Sequence, residues 1–402
     1  MSQTLLTIDM VSNETLIKLT NESVLTKSIN REFENDFGKK NAKIGYNLRV
    51  RLPNVFSVVQ NSQALSLQAI DEQYTNVTIT DQSHVDFTFD TADLTWDVDR
   101  FSERYTDPAA VSLVAQIEAN CFARVTPLIS AFAGTPGTVQ TSLATGALLA
   151  RKILNQNLCP DDGKRTAIMT ADASASMQSA LSVLFNPEQS ISDMYEKGKI
   201  GRGQGFQYRE SNLNWSTPSS GLTGTALIAG SNQFGLTLNI DGITGTTVKK
   251  GTVITIAACY AVNPQTNGAY TYLQTFAVAA DAPVVSGAAT LTLATPINTL
   301  VSSDTNCPTV DVLPQDEAVV TFVTSTGSYG QNIYFHKDFA SFVNPELVMP
   351  EGLDFAGRAS KDGYSIRIVR QYLIGDDTIP TRLDSMWGIS VIRPQLACRI
   401  SD

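Results

Sequence analysis

The sequence predicts an α+β chain of several subdomains with a small all-β domain inserted into it, and three observations lead there. Asp107–Phe132 carries one long amphipathic helix, helix and strand patterns alternate over 141–200, and 219–325 turns to short alternating apolar runs between turn signals. The chain's 402 residues exceed one ordinary core, since domains run to about 100–150 residues.

Residues 1–35 read as an amphipathic arm in which Leu5, Leu6, Ile8, Leu16, Ile17, Leu19, Val24 and Leu25 are interrupted by Asn and Thr. Such a segment cannot bury itself, so it docks on a neighbour or frays. Over 36–82 a basic cluster (Lys39, Lys40, Lys43, Arg49 and Arg51) accompanies the strand-like run GYNLRVRLP, and YTNVTIT reads as a second strand. An isolated hairpin is marginal in water, so this excursion needs support from outside its own unit. The cluster is either a charge-blocked edge or an intersubunit contact, and the extended setting favours the contact.

Residues 84–101 alternate, with Val85, Phe87 and Phe89 facing one way and His84, Asp86, Thr88 and Asp90 the other. In the long helix Asp107 suits the N-cap and Pro108 the first helical position. Ala110, Leu113, Val114, Ile117, Cys121, Val125, Leu128 and Phe132 form its stripe, Pro127 bends its last turns, and Gly134 and Pro136 end it. Helices follow at about 143–158, 173–185 and 186–198, with a strand at Thr166–Met169, and then a glycine-loosened hairpin in GRGQGFQYRESNLNW. The β-runs of 219–325 are FGLTLNI, TVITIAACYAV, LQTFAVAA, ATLTLAT and AVVTFVT, the pattern of a small barrel or sandwich. From Ile333 the α/β-type pattern resumes, with a turn over 345–350 and the strands SIRIVRQY and WGISVIRP.

Composition narrows the function. Charged residues make up 17% against the usual ~25%, which suits a surface that becomes interface, because interface centres are depleted of charge. A net charge of −10 lacks the basic footprint that phosphate binding needs, so sequence-specific nucleic-acid binding is disfavoured. The five cysteines, Cys121, Cys159, Cys259, Cys307 and Cys398, are odd in number and widely spaced, as expected of reduced thiols. With no signal-peptide pattern at the start and no apolar run of ~20 residues, a soluble protein made in the cytoplasm is expected.

A search for chemistry finds no cofactor, metal or catalytic site. His84 and His336 are the two histidines, and no GxSxG elbow accompanies either; a hydrolase using His336 with Asp338 is the catalytic alternative. Gly201, Gly203 and Gly205 echo a nucleotide loop, but they follow a helix and precede a strand, the reverse of what that loop requires. The pairs Asp97/Asp99, Asp161/Asp162 and Asp376/Asp377 have no further ligands at metal spacing, and they suit turns and caps. Lys249 and Lys250, before Gly251, are expected to tip a hairpin.

Four stretches carry a family resemblance: MYEKGKIGRGQGFQY (194–208), VKKGTVITIAACYAVNPQT (248–266), FHKDFASFVNPEL (335–347) and DGYSIRIVRQYLIGDDTIPTRLDSMWGISVIRPQLACRI (362–400). In matching order they resemble the coat proteins of the short-tailed Salmonella phages, from about residue 140 to the end. The resemblance implies the Hong Kong 97 capsid fold with an inserted β-barrel. It assigns 1–35 to an N-terminal arm, 36–82 to an extended loop reaching across a neighbour, and 83–140 with 353–402 to a peripheral domain. Residues 141–218 with 326–352 become an axial domain, and 219–325 the insert, which is shorter than in those relatives.

The implied function is a major capsid protein assembling as pentamers and hexamers into an icosahedral head around double-stranded DNA, in the virion after assembly in the host cytoplasm. Implied partners are other copies of the chain, a separate scaffolding protein, a portal protein at one vertex, and, as a further candidate, a decoration or cement protein. No long helical segment precedes residue 1, so a fused scaffold is not expected. Lys39, Lys40, Lys43, Arg49 and Arg51 are expected to pair with acidic groups of an adjacent subunit. Asp376 and Asp377 lie in the Gly375–Pro380 turn, which the resemblance places near quasi-three-fold contacts. The alternative is a β-rich tail adhesin or carbohydrate-binding protein with 219–325 as its working part.

Overall fold

The computed structural model describes residues 23–32, 47–53, 73–90, 107–139, 146–182, 200–300, 308–324, 327–350, 352, 355–361 and 364–402. The fold is mixed α+β and mostly β. It divides into two compact units: one of residues 1–49, 76–121 and 340–390, the other of 50–75, 122–339 and 391–402. The reading of 1–22, Lys39, Lys40, Lys43, the 91–101 part of the alternating strand, Asp97/Asp99, Cys307 and the helix at 186–198 falls outside the described residues.

The first unit is organised by β21 (Thr378–Val391), a long strand flanked by β20 (Tyr364–Arg370), β18 (Ala340–Val343) and β3 (Asp81–Asp90). The strand β19 (Phe355–Lys361) pairs with β20 on the outside. The expected alternation of β3 holds: His84, Asp86 and Thr88 are exposed, Val85 and Phe87 half-buried. β3 runs antiparallel to Thr378–Trp387, pairing Thr88 with Pro380. The sequence pattern showed only the last part of β21, because Pro380 and the charged Arg382 and Asp384 mask its apolar alternation.

Trp387 anchors this unit's core: its ring stacks at 6.5 Å on Phe342, which lies 5.7 Å from Tyr364. Its indole N–H donates to Ser83 Oγ at 2.9 Å, so the polar edge is satisfied when buried. Removing roughly 150–250 Å² of such a ring from water is worth roughly 4–6 kcal/mol at about 25 cal/mol per Å². The next residue must be glycine. A Cβ at Gly388 would stand 2.2 Å from the Thr78 carbonyl oxygen, where β2 (Tyr74–Thr78) passes. β2 pairs with β1 (Asn47–Arg51), and Leu52 N–H donates to the Gln73 carbonyl at 2.8 Å.

Helix α1 (Leu25–Ser28) is a single turn in the segment 23–32. Helix α2 (Asp107–Val125) buries Ala110, Leu113, Val114, Ile117, Cys121 and Val125 of the stripe expected of it, and Phe122 in addition. It is about 28 Å long at 1.5 Å per residue and stops short of the predicted Phe132. Pro127 has no N–H to continue the α ladder, so Thr126–Leu128 tightens into a 3₁₀ turn, and Phe132–Ala133 becomes the strand β4.

The second unit holds a sheet ordered β4, β22 (Ala397–Ser401), β17 (Tyr329–His336), β5 (Arg165–Met169), β7 (Phe206–Glu210) and β6 (Arg202–Gly203), with β8 (Ser216–Thr217) also on β17. β5 and β7 run parallel, as do β22 and β4. Helix α3 (Ala147–Gln156) packs on β4, β17 and β22, and α4 (Ala171–Ser182) follows β5. The glycine hairpin forms as expected, between β6 and β7.

Between β8 and β17 lies an antiparallel sheet ordered β13 (Ala269–Ala277), β12 (Val253–Val262), β16 (Val319–Phe322), β9 (Thr223–Ile228), β10 (Gly235–Thr244) and β15 (Ala289–Ile297). Its ends meet: Val278 bridges Leu293, and Ala279 N–H donates to the Thr292 carbonyl at 2.7 Å. Alternation directs Leu238, Ile240, Ile254, Ile256, Phe276, Leu291 and Leu293 into one core, while Thr237, Asn239 and Asp241 face outward. A bulge after Asp241 needs two glycines, because a Cβ on Gly242 would lie 2.4 Å from the Thr225 oxygen and one on Gly224 2.5 Å from the Gly242 oxygen. The turn at Lys249 and Lys250 is present but tips no hairpin. It joins β11 (Thr247–Val248), which pairs with β14 (Ala282–Pro283), to β12, which pairs with β13 and β16. Among the described residues no helix is long and apolar enough to cross a membrane.

Candidate functional site

The polar clusters of this chain hold segments together. His336 is buried, and its Nδ1 accepts the N–H of Asp338 at 3.2 Å. That leaves the Nε2 proton for Asp162 Oδ1 at 3.0 Å. Both ring nitrogens are thus occupied by a backbone amide and a carboxylate, neither of which is a hydroxyl or thiol that the imidazole could deprotonate. Burial pushes the Asp162 carboxyl up, but hydrogen bonds from the Lys164 N–H, His336 and the Lys164 side chain outweigh it and hold the group at about 2. Asp161 meets Arg151 at 3.3 Å, so the Asp161/Asp162 pair ties the β5 approach to its surroundings. Among the described residues no group of three metal-ligating side chains occurs.

In the first unit Asp384 is fully buried on β21. Arg367 grips it with Nε on Oδ1 at 3.0 Å and Nη2 on Oδ2, and Gln82 Nε2 donates to Oδ2 at 3.0 Å. This planar, two-point pairing satisfies a carboxylate that burial would otherwise penalise. Glu118, 2% exposed, sits on the apolar stripe of α2 and accepts the N–H groups of Val24 and Leu25 on Oε1 and of Thr26 on Oε2. Burial pushes its carboxyl up, against the lowering effect of those hydrogen bonds.

In the second unit Arg399 is fully buried on β22, and its Nη2 donates to the Gly251 carbonyl at 2.7 Å. Burial pushes its guanidinium down to about 9, so it stays charged at neutral pH. The same loop is held from the other side by Asp281, which accepts from Lys249 Nζ at 3.1 Å and the Lys250 N–H at 2.7 Å. Ser130 Oγ lies 2.8 Å from Thr295 Oγ1, and Tyr270 OH donates to the Gln156 carbonyl at 3.3 Å. Three of these contacts, from Arg399, Ser130 and Gln156, therefore seat the six-stranded sheet on its own unit.

Of the residues singled out from sequence, Arg49 and Arg51 are exposed on alternate positions of β1. Asp376 and Asp377 are exposed in the turn between β20 and β21, where Asp377 accepts from Tyr372 OH at 2.9 Å. The same turn exposes Leu373 by 45% and Ile374 by 84%, an apolar pair on a protruding loop. Sequence reading passed over Glu118, Arg367, Asp384 and Arg399. The visible signal for Glu118 was an acid four residues after Val114 on an otherwise apolar stripe; for Arg399 it was a lone cation in the apolar run ACRI.

A family model described as "P22 coat protein - gene protein 5" matches residues 70–399. No curated protein matches the sequence. Among solved structures, one of Mycobacterium phage Che8 aligns over 94% of this chain and 90% of its own, with 13% identity and a TM-score of 0.47. The capsid of cyanophage P-SCSP1u aligns over 89% and 83%, with 12% identity and a TM-score of 0.43. The mature capsid of bacteriophage PhiM1 aligns over 89% and 82%, with 8% identity and a TM-score of 0.45. With the family model spanning most of its length, this chain belongs to the P22 coat protein family.

Proposed function

We propose that the chain is the major capsid protein of a tailed phage and builds the icosahedral head around its double-stranded DNA, as pentamers and hexamers. Family membership over residues 70–399 carries this reading. The low charge and the exposed hairpin and turn support it, since each offers surface to another copy. The role is mechanical: each copy contributes area, and closure of the shell multiplies many modest contacts.

The finer reading is the Hong Kong 97 fold with a β-barrel insert. The arm is 1–35, the extended loop 36–82, the peripheral domain 83–140 with 353–402, the axial domain 141–218 with 326–352, and the insert 219–325. The closed hydrogen bonding between β13 and β15 supports a barrel. Lys39, Lys40, Lys43, Arg49, Arg51, Asp376 and Asp377 are the proposed intersubunit residues. A separate scaffolding protein, a portal protein and a decoration protein are proposed partners, and assembly is proposed to occur in the host cytoplasm. The tail-adhesin alternative is not favoured, because a coat-protein match over 70–399 takes in far more than the insert.

Electron microscopy of the expressed chain, with and without the phage's other structural proteins, tests the reading. Closed icosahedral particles are the expected result. A chain that stays monomeric under every condition, or particles lacking it, would refute the assignment.

A further inference from the structure

Among the described residues Arg399 is a buried cation without a counterion. Its Nη2 donates to the Gly251 carbonyl at 2.7 Å, while Nε and Nη1, buried as well, meet no acceptor. Arg367 in the first unit makes the contrast, since its fork is filled by the Asp384 carboxylate. The acids near Arg399 in sequence or on the loop it holds are engaged elsewhere. Asp281 accepts from Lys249 Nζ and the Lys250 N–H. Asp402 is an odd number of residues along β22 from Arg399, so it projects to the opposite face, where it accepts from Thr170 and Asn332. The adjacent Cys398 thiol is pushed up to about 12 by burial and stays neutral.

Three more orphaned groups share the Arg399 face. Pairing of β22 with β17 sets Arg399 opposite Ile333 and Ser401 opposite Gln331, and pairing of β17 with β8 sets Tyr329 opposite Thr217. Facing residues of paired strands, and residues two apart on one strand, project to the same side. Arg399, Ser401, Gln331 and Thr217 therefore lie on one face of the sheet, each at most 1% exposed. Ser401 Oγ, Thr217 Oγ1 and Gln331 Oε1 have no hydrogen-bond partner among the described residues, and the Gln331 amide nitrogen is spent on the Tyr329 carbonyl at 3.3 Å. The Gly251 loop lies over Arg399 and is closed off by Trp215, whose ring would stand 2.2 Å from a Cβ at Gly251.

Buried polar groups that the protein leaves unpaired are where internal water or an ion sits. Water alone would satisfy the hydroxyls and the amide oxygen, but it would leave a bare guanidinium charge in the interior, which is strongly destabilising. We infer that this face is a buried anion site: one small inorganic anion of the halide class, held between the unpartnered guanidinium donors of Arg399 and the Ser401 hydroxyl, with water joining it to Thr217 and Gln331. The Gln331 oxygen is an acceptor, so it faces the water and not the anion. Arg399 is also the residue that seats the Gly251 loop, so occupancy links the seat of the six-stranded sheet to the halide concentration around the subunit.

Thermal and urea unfolding of the full-length chain tests this, in chloride and in gluconate at equal ionic strength and pH. In the wild type the unfolding constant should fall by up to about tenfold for each tenfold rise in free chloride above the site's dissociation constant. Arg399→Met, which removes the charge and keeps an apolar stem, should respond equally to chloride and gluconate. Ser401→Ala should need about tenfold more chloride for the same stabilisation, as expected for one lost hydrogen bond to a charged group. Bromide exchanged into crystals of the wild type should give an anomalous peak beside the Arg399 guanidinium. Equal wild-type stability in chloride and gluconate, or bromide crystals with no peak there, overturns the inference whether or not the variants fold. A folded Arg399→Met that keeps the full chloride response overturns it too.

Discussion

At the scale of single residues, buried polar groups do the specifying. The Asp384 carboxylate on β21 is tolerable only because Arg367 and Gln82 complete its hydrogen bonds. Removing Arg367 takes away its two-point partner and leaves the buried charge only Gln82 and the Arg382 guanidinium, whose Nε lies 3.4 Å away. Arg367→Ala should therefore cost roughly 3 kcal/mol, the lower end for a broken buried pair, because the guanidinium is itself partly exposed. Urea unfolding of wild type and variant measures this; a midpoint unchanged at equal slope would show the pair to be dispensable. None of these partnerships was legible in the sequence. Arg367 and Asp384 are seventeen positions apart, and Glu118 finds its partners ninety-two to ninety-four positions upstream. Spacing rules reach three or four residues along a helix, or the facing position on a strand, and no farther.

At the scale of elements, periodicity was a good guide wherever one face is buried and the other wet. It placed α2, β3 and five of the six strands of the six-stranded sheet, all but β9, because alternation and the helical stripe are direct consequences of one-sided burial. It failed where burial is two-sided or chemistry intrudes: Pro127 cut the helix short, and Pro380 with two charges hid the first half of β21. The β1–β2 hairpin belongs here too. Its outward arginines leave the core untouched, so Arg49→Glu with Arg51→Glu should block or weaken shell formation while the subunit keeps its circular dichroism. Normal shells from that double variant would remove the basic hairpin from the interface. The six-stranded sheet has its own core and closed hydrogen bonding. Residues 219–325 expressed alone should therefore unfold in a single cooperative thermal transition, and a fragment lacking one would mean the three anchoring contacts are essential to its fold.

At the scale of the molecule, a coat protein must present large surfaces to copies of itself while keeping each subunit intact. The chain meets this with few charges and buried polar ties inside each unit, and its exposed features include the arginines of β1 and the apolar β20–β21 turn. The class of protein was readable from sequence because the runs over 194–208, 248–266, 335–347 and 362–400 retain the family's order, and the family match over 70–399 agrees with them. What the sequence determined by itself was therefore the α+β class, the placement of most elements, and the family. Those depend on local periodicity and on residue order, both written along the chain. Only the tertiary structure decided which buried carboxyl holds the segment 23–32, which arginine seats the Gly251 loop, and that β13 meets β15. Contacts between residues distant in sequence depend on where folding brings them, and no local pattern records that.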